Sequence, residues 1–164
     1  MSKRLKDHMV EDVNIRQATK EDSFALTELA LMSKASWGYS NDFLEACKAD
    51  LTVKESDILT KITYVIEDRK QIAGFYVLSI VNQELEALFV HPDYMGKGIG
   101  RLLWQEALEQ SKKHGLDSFN IYSDPYAENF YIKMGADRIG FAESKVFPER
   151  KLPLLKYELN KADS

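Results

Sequence analysis

The chain has 164 residues, 45% hydrophobic and 29% charged, with eight Gly, four Pro and one Cys. That is the length of one domain, able to bury roughly 70% of its unfolded surface without staples, and the composition is too apolar for a disordered chain. No apolar run reaches the roughly 18 residues of a spanning helix, and 22 Lys plus Arg against 26 Asp plus Glu give a net charge of −4, which argues against nucleic acid as the main partner.

Residues 1–8 are basic, but no apolar stretch follows them, so they do not read as a secretory signal. The cluster from Lys3 to Lys6 reads as part of a solvated tail. Cys47 stands alone, no internal disulfide can form, and a cytoplasmic address is the simplest expectation.

Regular elements are expected over residues 13–159, between polar ends at 1–12 and 160–164. Residues 13–18 alternate like a strand. Thr19 offers a helix cap, with Asp22 in the place of a capping-box acid. Phe24, Leu26, Leu29, Ala30 and Met32 then predict one apolar helix face, ending near Lys34. A short aromatic loop, Ser36-Trp37-Gly38-Tyr39, leads to Ser40, which can cap a second helix over 41–51 with Phe43, Leu44 and Cys47 turned inward.

Three strands are predicted next, around 64–66, 72–81 and 84–90, and their short polar turns imply antiparallel hairpins. Pro92 closes the third, because it cannot donate to a ladder. Ile99, Leu102, Leu103, Ala107 and Leu108 recur at helical spacing up to a C-cap glycine, Gly115. That predicts a helix of about 16 residues, roughly 24 Å long. A strand at 119–122, a short helix at 127–134 stopped by Gly135, and strands at 139–142 and 154–159 complete the order β-α-α-β-β-β-α-β-α-β-β. The expected fold class is α/β in a single domain spanning 1–164, with its core at about 13–159.

The informative segment runs Val90-His91-Pro92-Asp93-Tyr94-Met95-Gly96-Lys97-Gly98-Ile99-Gly100-Arg101. A strand ends, three alternating glycines follow, and a helix begins. Glycines let backbone approach a ligand closely, and a helix N-terminus offers free N–H groups with a partial positive charge. Lys97 and Arg101 add formal charge, so a phosphate or pyrophosphate is the natural guest. The spacing fits neither G-x-x-x-x-G-K-[ST] nor G-x-G-x-x-G, because Arg101 and Leu103 stand where glycines are needed.

This loop, Met95-Gly96-Lys97-Gly98-Ile99-Gly100, resembles the acyl-CoA loop [Q/R]-x-x-G-x-[G/A] of the Gcn-five-related N-acetyltransferase superfamily, GNAT. A second segment, from Asp124 to Ala136, resembles that superfamily's N-x-x-A-x-x-[FL]-Y-x-[KR]-x-G-[FA], with Ala127, Phe130, Tyr131, Lys133, Gly135 and Ala136 matching. The resemblance covers about residues 13–159 and implies a mixed, mostly antiparallel central sheet flanked by helices. It implies acetyl-CoA as co-substrate, with backbone N–H groups from Gly96 to Arg101 on the pyrophosphate, and Leu88, Phe89 and Val90 pairing with the pantetheine arm. Tyr131 corresponds to the general acid for the leaving thiolate.

Two positions depart from the pattern. Met95 replaces Arg or Gln, which removes a side-chain polar contact. Asp124 replaces Asn; an ionised Asp accepts but cannot donate, so Asn129 is the candidate for that cofactor contact and Asp124 a candidate for attracting the acceptor's ammonium. Within 127–136, Phe130 and Met134 share a face that can pack on the sheet.

A lysine-like amine, with pKa about 10.4, is held neutral at pH 7 only at about 4.6 kcal/mol, so a base or a less basic amine is required. Glu84 and Glu86 alternate onto one face of the strand before the loop. The resemblance places the base on that strand, with Glu84 at the better-matching distance from the loop; because a bulge would change which face each occupies, both are candidates. Trp37, Tyr39 and Phe89 are candidates for the acceptor pocket, which the superfamily covers with its first helices.

No histidine spacing fits a metal site, Cys47 reads as core, and no covalent-nucleophile constellation is present. The expected reaction is direct acetyl transfer in a ternary complex to a primary amine, on a small molecule or a protein. A non-catalytic acyl-CoA sensor on the same fold is the alternative. Neither nucleic acid nor membrane is an expected partner; a homodimer, common in the superfamily, stays open.

Overall fold

The computed structural model describes residues 3–7 and 10–159. The expected cores of the elements are all present. They form one eight-stranded sheet in the order β1-β2-β3-β4-β5-β6-β8-β7, with β1 (Lys3–Asp7), β2 (Val10–Gln17), β3 (Ile62–Asp68), β4 (Gln71–Ser79), β5 (Glu84–Val90), β6 (Ser118–Tyr122), β7 (Asp137–Glu143) and β8 (Lys151–Glu158). Every neighbouring pair is antiparallel except β5 with β6. The helices are α1 (Ser23–Ala35), α2 (Asn41–Leu51), α3 (Glu55–Thr60), α4 (Ile99–Lys113) and α5 (Glu128–Lys133).

Three expectations need correction. Lys3 to Asp7 are not tail but an edge strand paired with β2, Lys3 opposite Ile15. Its pairing is made by backbone, which a sequence with one apolar residue in five does not announce. The expected polar end at 160–164 lies outside the described residues. Helix α3 was also unannounced, being too short to show a period. On α1, Leu26, Leu29 and Ala30 are buried as expected, but Phe24 and Met32 are exposed: the helix turns them away from the sheet.

Local signals did fix several ends. The Thr19 N–H donates to Asp22 Oδ2 at 2.7 Å, closing a 3-10 turn (Lys20–Asp22) ahead of α1. The Phe43 N–H donates to Ser40 Oγ at 3.2 Å, capping α2. Gly115, at φ +76, follows α4 in the left-handed conformation expected there.

The sheet is covered on both faces. α1 and α3 pack Leu26, Leu29, Ala30 and Ile58 against Val65, Phe75 and Val77. On the other face α4 and α5 bring Ile99, Leu103, Trp104, Ala107 and Tyr131 onto Ile66, Tyr76, Leu78 and Phe119. Strand β4 is buried from Ala73 to Ser79 because it serves both layers. Among the described residues no helix is long and apolar enough to cross a membrane.

Gly74 on β4 sets how closely α4 approaches. A Cβ there would lie 2.9 Å from Leu103 Cδ1, 2.9 Å from the Phe89 carbonyl oxygen and 3.0 Å from Ile99 Cγ2. Gly74→Ala should therefore destabilise the protein by about 1–3 kcal/mol, as overpacking does. Denaturant unfolding reads this directly, and wild-type stability would contradict the close approach of α4.

Candidate active site

Strands β5 and β6 meet at one register pair among the described residues, Glu84 with Asn120, beside a 2.9 Å bond from the Asn120 N–H to the Gln83 carbonyl. Beyond it they part. The opening is a cleft of about 890 Å³, lined on one side by Leu85 to Val90 and on the other by Ile121 to Asp124. β5 keeps its ladder with β4 on its far edge, so its near edge presents backbone donors and acceptors that a ligand can satisfy.

At one end of the cleft lies the glycine loop. Gly96 and Gly98 have φ of +76 and +85, a region L side chains avoid. Gly98 is the residue before α4, and the first helical bond runs from the Leu102 N–H to its carbonyl at 3.1 Å. The N–H groups of Ile99, Gly100 and Arg101 come before that bond and are the free donors of a helix N-terminus. Gly100 keeps the loop against α5, where a Cβ would meet Phe130 Cε1 at 3.1 Å. This donor set fits a pyrophosphate, and the parted strands fit an extended arm.

Most of the nominated cofactor residues come together: Leu88, Phe89, Val90, Met95 and the loop from Gly96 to Arg101 line the cleft, with the exception of Lys97. Lys97 places its ammonium 5.5 Å from the Tyr94 ring centre. Asn129 is not among the lining residues. Met95 gives its sulfur to a 3.8 Å contact from the Ser36 hydroxyl.

Tyr131 lines the cleft from α5 and is 6% exposed. Burial first, and Asp124 second, push its phenol above the ordinary tyrosine value. It is therefore a protonated donor throughout the physiological range.

The two glutamates separate. Between β4 and β5 the register slips, Val77 facing Ala87 and Leu78 facing Leu85, so Glu86 is the extra residue of a β-bulge. A bulge breaks strict alternation, yet Glu84 and Glu86 remain close enough to act on one another electrostatically. Glu86 lines the cleft; Glu84 does not. Glu86 Oε1 accepts from Lys61 Nζ at 2.6 Å, and Lys61 also lies 3.2 Å from Asp57. Burial and the neighbouring Glu86 raise the Glu84 carboxyl above the usual range.

Asp124 caps the turn before α5, accepting from the Tyr126 N–H at 2.9 Å. It also accepts from Lys34 Nζ at 2.9 Å and the Tyr39 hydroxyl at 3.0 Å. Arg150 Nη2 lies 3.5 Å away and donates to the same Tyr39 hydroxyl. Burial alone would raise this carboxyl, but Lys34, the Tyr126 N–H and Tyr39 outweigh it and hold it below the aspartate range. Asp124 thus already has cationic partners from its own chain.

Trp37 and Phe89 line the cleft, whereas Tyr39 stands behind it, stacked 4.3 Å from Phe43 and bracing Arg150. Lys34, Lys61, Tyr126 and Arg150 are site residues that sequence reasoning missed. Each comes from a different segment, and no local pattern joins them. Among the described residues no group of His, Cys, Asp and Glu has a metal-binding arrangement. His91 spends Nδ1 accepting the Asp93 N–H at 3.1 Å, a turn contact. Cys47 is buried.

Residues 34–151 match the family model described as Acetyltransferase (GNAT) domain. The peptidyl-lysine N-acetyltransferase YjaB of Salmonella typhimurium is 31% identical over 134 residues, 80% of this chain and 88% of that protein. Two solved structures share the fold. One is a GCN5-related N-acetyltransferase from Rhodopseudomonas palustris, with TM-score 0.75 and 19% identity over 88% of this chain and 94% of that one. The other is the PaiA N-acetyltransferase of Thermoplasma acidophilum in complex with coenzyme A, with TM-score 0.74 and 22% identity over 89% and 98%.

Proposed function

The chain belongs to the GNAT acetyltransferase family and carries out acetyl-CoA-dependent N-acetyl transfer; from that premise we propose that its acceptor is the ε-amine of a peptidyl lysine, acetylated directly in a ternary complex at the cytoplasmic address expected above. The observation that carries the reading is the cleft between the parted β5 and β6, with the glycine loop at one end and Tyr131 in its wall. The curated relative's acceptor, peptidyl lysine, supports the choice of amine.

In this account the N–H groups of Ile99, Gly100 and Arg101 hold the pyrophosphate, and the free edge of β5 from Leu88 to Val90 aligns the pantetheine arm. Glu86, on the bulge, receives the proton of the incoming ammonium. Its place at the cleft, beside an ammonium it already binds, favours it over Glu84. Acetyl-CoA supplies the thioester. The neutral amine forms its bond to the thioester carbon. Tyr131 donates its phenolic proton to sulfur as the carbon–sulfur bond breaks, and the second proton leaving nitrogen restores the phenol, so the acetyl group ends on an amide nitrogen.

A peptide with one lysine and a blocked N-terminus, incubated with acetyl-CoA, should gain one acetyl group on that lysine. Acetylation of small amines but of no peptide would overturn the peptidyl acceptor. Glu86→Gln should lower kcat/KM for the peptide by about 100-fold, the scale of general-base removal. Glu84→Gln should lower it far less. Steady-state kinetics on both variants checks the assignment, and equal losses in the two would contradict it.

A further inference from the structure

The acceptor half of the cleft holds two ion-pair clusters of opposite excess charge. In the first, Lys61 lies between Glu86 at 2.6 Å and Asp57 at 3.2 Å, one ammonium against two carboxylates. In the second, Asp124 lies between Lys34 at 2.9 Å and Arg150 at 3.5 Å, one carboxylate against two cations. All six side chains belong to residues lining the same cleft. Apart from Arg101 on α4 and Lys133 on α5, the other charged residues of the lining are Asp50 and Lys54, which cancel one for one. The cleft therefore has a negative pole at Glu86 and a positive pole at Arg150.

The positive pole is built to receive an anion. Side-chain exposures of 13% for Lys34, 15% for Asp124 and 21% for Arg150 leave its excess charge poorly screened. Arg150 is held by two aromatic plates, its guanidinium carbon 5.2 Å from the Tyr39 ring centre and 5.0 Å from that of Phe43. Its contacts to Tyr39 and Asp124 both use Nη2, so Nη1 and Nε keep single N–H donors that an incoming carboxylate can accept from. Lys34 directs one of its ammonium N–H groups to Asp124 and has others to give. Beside this pole Trp37 and Tyr126 stack at 5.5 Å, 37% and 58% exposed, as an open ledge on which a chain can lie.

We propose that this charge arrangement selects lysines with an acidic neighbour: the target ammonium goes to the Glu86 pole, and the carboxylate of an adjacent Glu or Asp goes to Arg150 and Lys34. The inference rests on the peptidyl-lysine reading and names its preferred sequence context. Arg150 is then a specificity residue, and Tyr39 and Phe43 position it.

Three blocked peptides, identical except that the single lysine is flanked on both sides by Glu, Ala or Arg, test this at saturating acetyl-CoA. In the wild-type enzyme kcat/KM for the Glu-flanked peptide should exceed that for the Ala-flanked one about tenfold, with the Arg-flanked peptide slowest. Added salt should compress the ratio. Arg150→Gln should bring it near one, and Arg150→Glu should invert it, with acetyl-CoA affinity as the control for folding. Equal wild-type rates on all three peptides would overturn the acidic-neighbour inference and leave the lysine acceptor standing. Acetylation of small amines but of none of the peptides would overturn the lysine acceptor, and this inference with it.

Discussion

Gly98→Glu should remove acetyl-CoA binding, raising the dissociation constant at least about 100-fold, or about 2.7 kcal/mol. Two effects act together. The backbone at Gly98 has φ +85, where any side chain is strained by roughly 1–2 kcal/mol. The new carboxylate also stands at the N-terminus of α4, where free N–H groups and the positive end of the helix would otherwise meet a pyrophosphate. Its own charge repels that ligand and competes for those donors. Calorimetric titration measures the loss, and far-ultraviolet circular dichroism shows whether the fold persists. Unchanged affinity in a folded variant would contradict the loop assignment.

Tyr131→Phe should lower kcat by about 100-fold, at the lower end of what general-acid catalysis contributes, while acetyl-CoA affinity stays within about twofold. The change removes one oxygen from a ring that remains packed 5.9 Å from Trp104 and 5.2 Å from Phe130, so the cleft keeps its shape. Burial and Asp124 raise the pKa of the phenol, which fixes the sign of its pH dependence. The hydroxyl keeps its proton through the ordinary tyrosine value, so Tyr131 does not set the alkaline limit of activity there. Full activity in Tyr131→Phe, or a loss confined to acetyl-CoA binding, would remove the acid role.

The cofactor half of the site was legible in the sequence because its chemistry is local. Gly96, Gly98 and Gly100 alternate within one short segment, and their conformations and close approach follow from glycine itself. The period of α4 begins at Ile99, within the same segment. Tyr131 could be read for the same reason, from a segment of consecutive residues that becomes one short helix.

The acceptor half was legible only in pieces. Asp124 was singled out, but Lys34 lies 90 residues before it and Tyr39 lies 85 before it. Arg150 meets Tyr39 across 111 residues. Only the folded chain brings these groups together. Glu84 and Glu86 show the same limit on a smaller scale: alternation puts them on one face, and a single bulge, fixed by pairing with β4, places only Glu86 at the cleft. Strand β1 was missed because an edge strand is held by backbone pairing, and Phe24 was misplaced because helical period does not say where the buried arc ends.

Acetyl-CoA is proposed to bind in the opening between β5 and β6. The most direct test is a backbone-amide NMR titration of the protein with acetyl-CoA. The largest shifts should fall on Gly96, Gly98, Ile99, Gly100 and Arg101, and along Leu88 to Val90, with the amides of β2 and β3 little changed. Saturable binding that leaves the glycine loop and β5 stationary while other amides move would contradict it.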